Sequence, residues 1–98
     1  HAQTPVYRWI NNTNGLPTNA IYYLHQDKRG FIWIAHDRGL TRYDGKKFKH
    51  FNNVSQRGRS LTNIMETGDS VIWCQDFAGN FFYVQNDSLM LEQRIVSN

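Results

Sequence analysis

Phe31-Ile-Trp-Ile-Ala-His-Asp-Arg-Gly-Leu-Thr-Arg-Tyr43 and Val71-Ile-Trp-Cys-Gln-Asp-Phe-Ala-Gly-Asn-Phe-Phe-Tyr83 are two versions of one pattern. Trp33 matches Trp73, Gly39 matches Gly79 and Tyr43 matches Tyr83, each 40 residues apart, and Asp37 approximates Asp76. Around each copy the chain reads as short β runs separated by turn dipeptides. The first unit predicts strands at Ile21–Gln26, Phe31–Ala35 and Leu40–Tyr43, with a short fourth strand carrying Phe48 and Phe51. The second predicts Ile64–Thr67, Val71–Gln75, Phe81–Gln85 and Leu89–Glu92. No apolar stripe at helical spacing persists without a Gly or Asp-Gly interruption, so helix is not expected.

A period near ~40–50 residues is the length of one four-stranded propeller blade. The fold expected is therefore all-β: about two four-stranded antiparallel blades, a fragment of a larger propeller. Residues 1–14 read as a lead-in strand or loop, 15–52 as the first blade and 53–98 as the second. The repeated residues Asp27, Gly30, Trp33, Gly39, Tyr43, Trp73, Gly79 and Tyr83 have structural roles in this reading. Gly30 permits a turn with positive φ, and the Asp27 carboxylate accepts backbone N–H bonds across it. Trp33 and Trp73 project from second strands, where a large ring can wedge between neighbouring sheets.

Composition agrees with a packed β structure. Of 98 residues, 40% are hydrophobic, 14% aromatic and 19% charged, which does not fit disorder. No apolar run approaches the ~20 residues that a membrane-spanning helix needs. The net charge is +3, and most of the 11 basic residues lie between Lys28 and Arg59. A basic middle is compatible with nucleic acid or anionic sugars. Most of these residues stand beside Gly, Asp or Asn, so turn and solvent-face placement is preferred, with no nucleic acid bound by this segment. The single Cys74 excludes an internal disulfide. Sequons begin at Asn11, Asn53 and Asn86 and matter only in a eukaryotic secretory pathway.

Three further stretches resemble a known family: Gly15-Leu-Pro-Thr-Asn-Ala-Ile21, Asp27-Lys-Arg-Gly-Phe-Ile-Trp-Ile34 and Gly39-Leu-Thr-Arg-Tyr-Asp-Gly45. They resemble the regulator-propeller repeat of extracellular sensor domains in bacterial two-component systems, with the hybrid sensors of Bacteroidetes the nearest in pattern. Residues 15–51 follow the pattern closely and 61–91 loosely; Ala35-His36 stands where the family has Gly-Thr. The resemblance implies a periplasmic sensing module, coupled through a membrane helix in the parent protein to a histidine kinase, a phosphorelay and transcription. Family ligands are commonly oligosaccharides. None of the kinase motifs lies within this chain.

Nothing in the sequence supplies catalytic chemistry. No His pair has metal-ligand spacing, no Gly-x-Ser-x-Gly is present, and no Gly-rich phosphate loop occurs. No catalytic residue, metal or cofactor is expected. Asp27, Asp37, Asp44, Asp69 and Asp76 read as backbone-capping turn residues. In a propeller the second-to-third strand loops and the blade connectors share one end. Candidate ligand-binding residues are therefore His36, Asp37, Arg38, Gln75, Asp76 and Phe77, near the connector from Asn52 to Asn63. The expected ligand is an oligosaccharide or another small molecule, with a protein–protein scaffold as the alternative. Two blades leave two outer faces, so self-association, or cover by the remaining blades, is expected.

Overall fold

The computed structural model describes residues 20–93; the expected lead-in at 1–14 and the motif residues Gly15–Asn19 lie outside the described residues. The described chain is all-β. Strands β1 (Ile21–Gln26), β2 (Ile32–His36), β3 (Gly39–Tyr43) and β4 (Phe48–Phe51) form one sheet. Strands β5 (Leu61–Glu66), β6 (Ile72–Asp76), β7 (Phe81–Gln85) and β8 (Ser88–Leu91) form the other. Each sheet is an antiparallel meander in sequence order, as propeller blades are.

The β1–β2 turn shows why these residues fold as they do. Asp27 Oδ1 accepts the backbone N–H of Arg29 and of Phe31, each at 2.9 Å. Gly30 donates to the Asp27 carbonyl at 2.9 Å with φ of 95°, a conformation that a side chain resists. Oδ2 of the same carboxylate accepts the Trp33 indole N–H at 2.8 Å. One buried Asp thus sets both the turn and the tryptophan. The same five-residue turn recurs at Thr67–Val71, where Ser70 takes the place of Gly30 with φ of 66°. It recurs again at Asp76–Asn80, with Asp76 Oδ1 capping Ala78 and Asn80.

The main core lies between the sheets. The first contributes Trp33, Ala35, Leu40 and Phe51, and the second Leu61, Ile64, Ile72, Cys74, Phe82 and Leu89. Alternation along β2 therefore sends Trp33 and Ala35 into the joint, while Ile32, Ile34 and His36 face the opposite side. There Ile34 packs with Ile32, Tyr43 and Phe48. In the second sheet the parity reverses: Ile72 and Cys74 enter the joint, and Trp73 takes the outer face. One face of the first sheet thus meets the opposite face of the second. This is how successive blades of equal orientation stack.

Polar contacts close the joint at its margins. The Arg42 guanidinium lies over the rings of Phe31, Trp33 and Phe51, with centroids 5.4–5.5 Å away. Its Nη1 donates to Asp87 Oδ1 in the β7–β8 turn at 3.0 Å. His25 Nε2 donates to Glu66 Oε1 at 3.1 Å, and the Asn53 amide donates to the Leu89 carbonyl at 2.7 Å.

Three expectations need correction. Strand β5 begins at Leu61 rather than Ile64, which shortens the connector to 52–60. Pairing of Leu61 and Thr62 with Asp76 and Gln75 continues because a bulge at left-handed Asn63 absorbs the irregularity. The Tyr43–Tyr83 and Gly39–Gly79 matches also fail in register. Trp33 pairs with Arg42 but Trp73 pairs with Tyr83, so the β6–β7 hairpin holds one extra residue. Tyr83 stands where Arg42 does, and Asn80 where Gly39 does. The two glycines differ accordingly. A Cβ on Gly39 would meet the Asn52 side chain and lie 2.8 Å from the Phe51 carbonyl oxygen, whereas one on Gly79 meets nothing.

Candidate functional site

The loops expected to share one end of the molecule do so, and the connector holds them together. The β2–β3 turn is a two-residue hairpin, Asp37-Arg38, closed by the His36–Gly39 pair. The β6–β7 turn spans residues 77–80. Between them, the Ser60 hydroxyl donates to the Asp37 carbonyl at 3.4 Å. Arg57 N–H donates to Asp76 Oδ2 at 2.9 Å. Residues 57–60 therefore lie between the two hairpins. Phe77 is exposed and its ring sits 5.3 Å from that of Tyr22 on β1.

Of the sequence-derived candidates, His36 and Asp76 are not available to a ligand. His36 is 1% exposed. Its Nδ1 accepts the Arg38 N–H at 3.1 Å, which assigns the proton to Nε2, and Nε2 donates to Thr41 Oγ1 at 2.7 Å. Thr41 can then donate to His50 Nδ1 at 2.8 Å. Burial, assisted by His50 and Arg38 against the opposing pull of Asp37, lowers the His36 pKa to about 4. His36 is a neutral, fully bonded group that pins its own hairpin. Asp76 is likewise 1% exposed. Burial pushes its pKa up, but donation by Arg57, Asn80 (backbone and side chain) and Ala78 outweighs this and holds the carboxyl below its usual range. Four donors occupy its two oxygens. Gln75 is half-buried on the outer face with Oε1 accepting from Asn63 at 3.0 Å. Asp37 is half-buried, while Arg38 and Phe77 are exposed.

Sequence reasoning missed other residues at this end. Tyr22 reads as an ordinary strand residue; a bulge between Ile21 and Tyr23 accompanies its placement beside Phe77. Arg57 and Arg59 read as connector charges, and only folding sets the connector between the hairpins. Beside them lies a depression of about 320 Å³ lined by Asn52, Asn53, Val54, Gln56, Gly58 and Arg59. Its walls are braced: Asn53 accepts from Ser55 N–H at 2.7 Å, and Gln56 donates to the Arg59 carbonyl at 3.0 Å.

Two other chemistries find no support. Among the described residues no group of three or more His, Cys, Asp or Glu side chains could hold a metal ion. Cys74 is buried in the joint, and burial followed by repulsion from Asp76 pushes its thiol up to about 12, which leaves it un-ionised. No helix among the described residues is long and apolar enough to cross a membrane.

Residues 15–38 match the family model described as two component regulator propeller. That stretch is a regulator-propeller repeat. The match runs through the Asp27–Phe31 turn and Trp33 and ends at Arg38, inside the first sheet's second hairpin. Comparison with curated proteins and with solved structures returned no match. Regulator-propeller repeats are associated with two-component regulators, and propeller repeats of this type are generally noncatalytic. The two four-stranded antiparallel sheets are consistent with propeller blades.

Proposed function

We propose that this chain is part of a noncatalytic, periplasmic ligand-sensing module of a two-component sensor histidine kinase, whose loop end recognises an oligosaccharide or another nutrient. The remaining blades, the membrane anchor, the kinase and the phosphorelay belong to the parent protein in this reading. The observation that carries it is the convergence of both hairpins and the connector at one end, in a chain that contains a regulator-propeller repeat. Loops on a rigid scaffold are where such proteins place recognition. A thermal-shift screen of the full chain against a panel of glycans and small nutrients tests the reading. A reproducible rise in melting temperature with at least one compound class is expected; a flat response across the panel counts against sensing.

A protein–protein scaffold is the second reading, favoured by one observation. The outer face of the second sheet carries the half-buried Trp73 and Tyr83, with ring centroids 5.1 Å apart, and the exposed Met65 and Met90. Self-association or cover by further blades would remove that apolar surface from water. Concentration-dependent light scattering separates this reading from the first.

A further inference from the structure

The loop end carries a surplus of positive charge that the fold itself does not use. Arg38, Arg57 and Arg59 are all exposed. The ion pairs His25–Glu66, Arg29–Asp27 and Arg42–Asp87 involve none of the three. The acidic residues of these loops offset only part of this charge: the carboxyls of Asp37 and Asp76 stand against three guanidinium groups, which leaves a balance of one positive charge. The connector brings the three together, since Arg57 is bonded to one hairpin and Ser60, next to Arg59, to the other. Among the described residues Arg59 is the one charged residue lining the 320 Å³ depression, a volume at the lower end of small-ligand sites. The amides of Asn53 and Gln56 are spent on bracing the loop, which leaves Arg59 and the exposed Asn52 amide for recognition there. Beside this cationic strip stands the Tyr22–Phe77 pair, two partly exposed rings able to pack on a flat apolar face.

We propose that this end binds a carboxylate-bearing small ligand, with Arg38, Arg57 and Arg59 as charged donors and the Tyr22–Phe77 pair as an apolar wall. The proposal rests on the reading of the loop end as a ligand-binding end and narrows it from sugars or nutrients in general to an anionic class. Guanidinium groups suit carboxylates because two parallel N–H donors match two oxygens.

The test is titration calorimetry of the full chain with digalacturonate and with α-1,4-galactobiose, which has the same ring linkage without the carboxylates. Digalacturonate is expected to bind at least about tenfold more tightly, as one charge-assisted contact provides. Its affinity should fall as salt rises to roughly 0.5 M, because these groups are exposed to screening. The R57S/R59S variant should lose about tenfold in affinity with its melting temperature unchanged, and R57K/R59K should recover part of the loss by keeping the charge. Equal binding of both disaccharides, unaffected by R57S/R59S, overturns the anionic assignment and leaves the sensing reading standing. Binding of neither disaccharide also overturns the assignment, and the glycan panel then decides separately whether the sensing reading survives.

Discussion

Trp33 and Trp73 stand at equivalent places in the two sheets, opposite His25 on β1 and Met65 on β5. Trp33 is wholly buried in the joint, and its indole N–H meets the Asp27 carboxylate. Trp73 is half-buried on the outer face, and its Nε1 has no hydrogen-bond partner among the described residues. The difference in burial traces to the second sheet, which covers Trp33 and leaves Trp73 on an outer face. The difference in hydrogen bonding traces to the turn residue that is Asp27 in the first sheet and Thr67 in the second, whose hydroxyl bonds to Asp69 instead. The same strand position is therefore a structural wedge in one sheet and a surface group in the other. Repetition of sequence fixed where each tryptophan lies on its strand; the neighbour beyond the strand decides what the residue contributes.

The largest expected effect separates the two. Trp33→Ala should cost roughly 3–5 kcal/mol in urea unfolding, since it opens a cavity and strands a buried carboxylate oxygen. Trp73→Ala should cost clearly less, about 1–2 kcal/mol, in proportion to its partial burial. Equal losses would mean that the outer face of the second sheet is as well covered as the joint.

The second measurement compares His36 with Asp76, which occupy matching ends of β2 and β6. His36 has its pKa lowered from 6.5 to about 4 in the fold. Above pH 6.5 it is neutral in both folded and unfolded chains and its contribution is complete. As pH falls from 6.5 towards 4, the unfolded chain takes up the proton first, so stability drops, on the order of 3 kcal/mol, then levels off. Asp76, held below its usual value of 3.8, acts in a lower window: its stabilisation is present above that value and is lost as pH falls further. His36→Gln should flatten the loss between pH 6.5 and 4 and leave the loss below pH 4. A wild-type profile that is flat from pH 7 to 4 would show that His36 can be protonated without strain.

The smallest effect is a gain. Thr67→Asp with Asp69→Arg copies the Asp27/Arg29 arrangement into the second sheet and offers Trp73 Nε1 an acceptor. About 1 kcal/mol of added stability is expected, the net worth of one hydrogen bond, read as a higher urea midpoint at unchanged slope. No gain would indicate that the Trp73 ring is turned differently from Trp33.

These positions also show what was legible beforehand. The Asp27–Phe31 turn and the strands around it could be read because Asp, Gly and Trp each declare a backbone need. Thr67-Gly68-Asp69-Ser70 builds the same turn from residues that do not, and Ser70 accepts a left-handed φ where Gly30 stands in the first sheet. The extra residue in the β6–β7 hairpin escaped because the alignment of Gly39 with Gly79 and Tyr43 with Tyr83 was self-consistent at a constant spacing. At the candidate site, alternation already contained the correction for His36. It follows Ile32 and Ile34 at two-residue steps, which places it on a packed face. Asp76 follows Ile72 and Cys74 in the same way. The cluster of Arg38, Arg57 and Arg59 was not legible, because no local rule places a connector between two hairpins.

Among the described residues, every strand in both sheets pairs only with its neighbours in the chain. Closing each pair requires only a short turn, and loop-closure entropy rises slowly with length, so each meander can zip up from local contacts. Docking the sheets requires no threading, since residues 52–60 alone join β4 to β5. The joint is then the late event in folding. Substitutions there, such as Ile72→Val, should chiefly speed unfolding, while changes in the Asp27 turn should slow refolding.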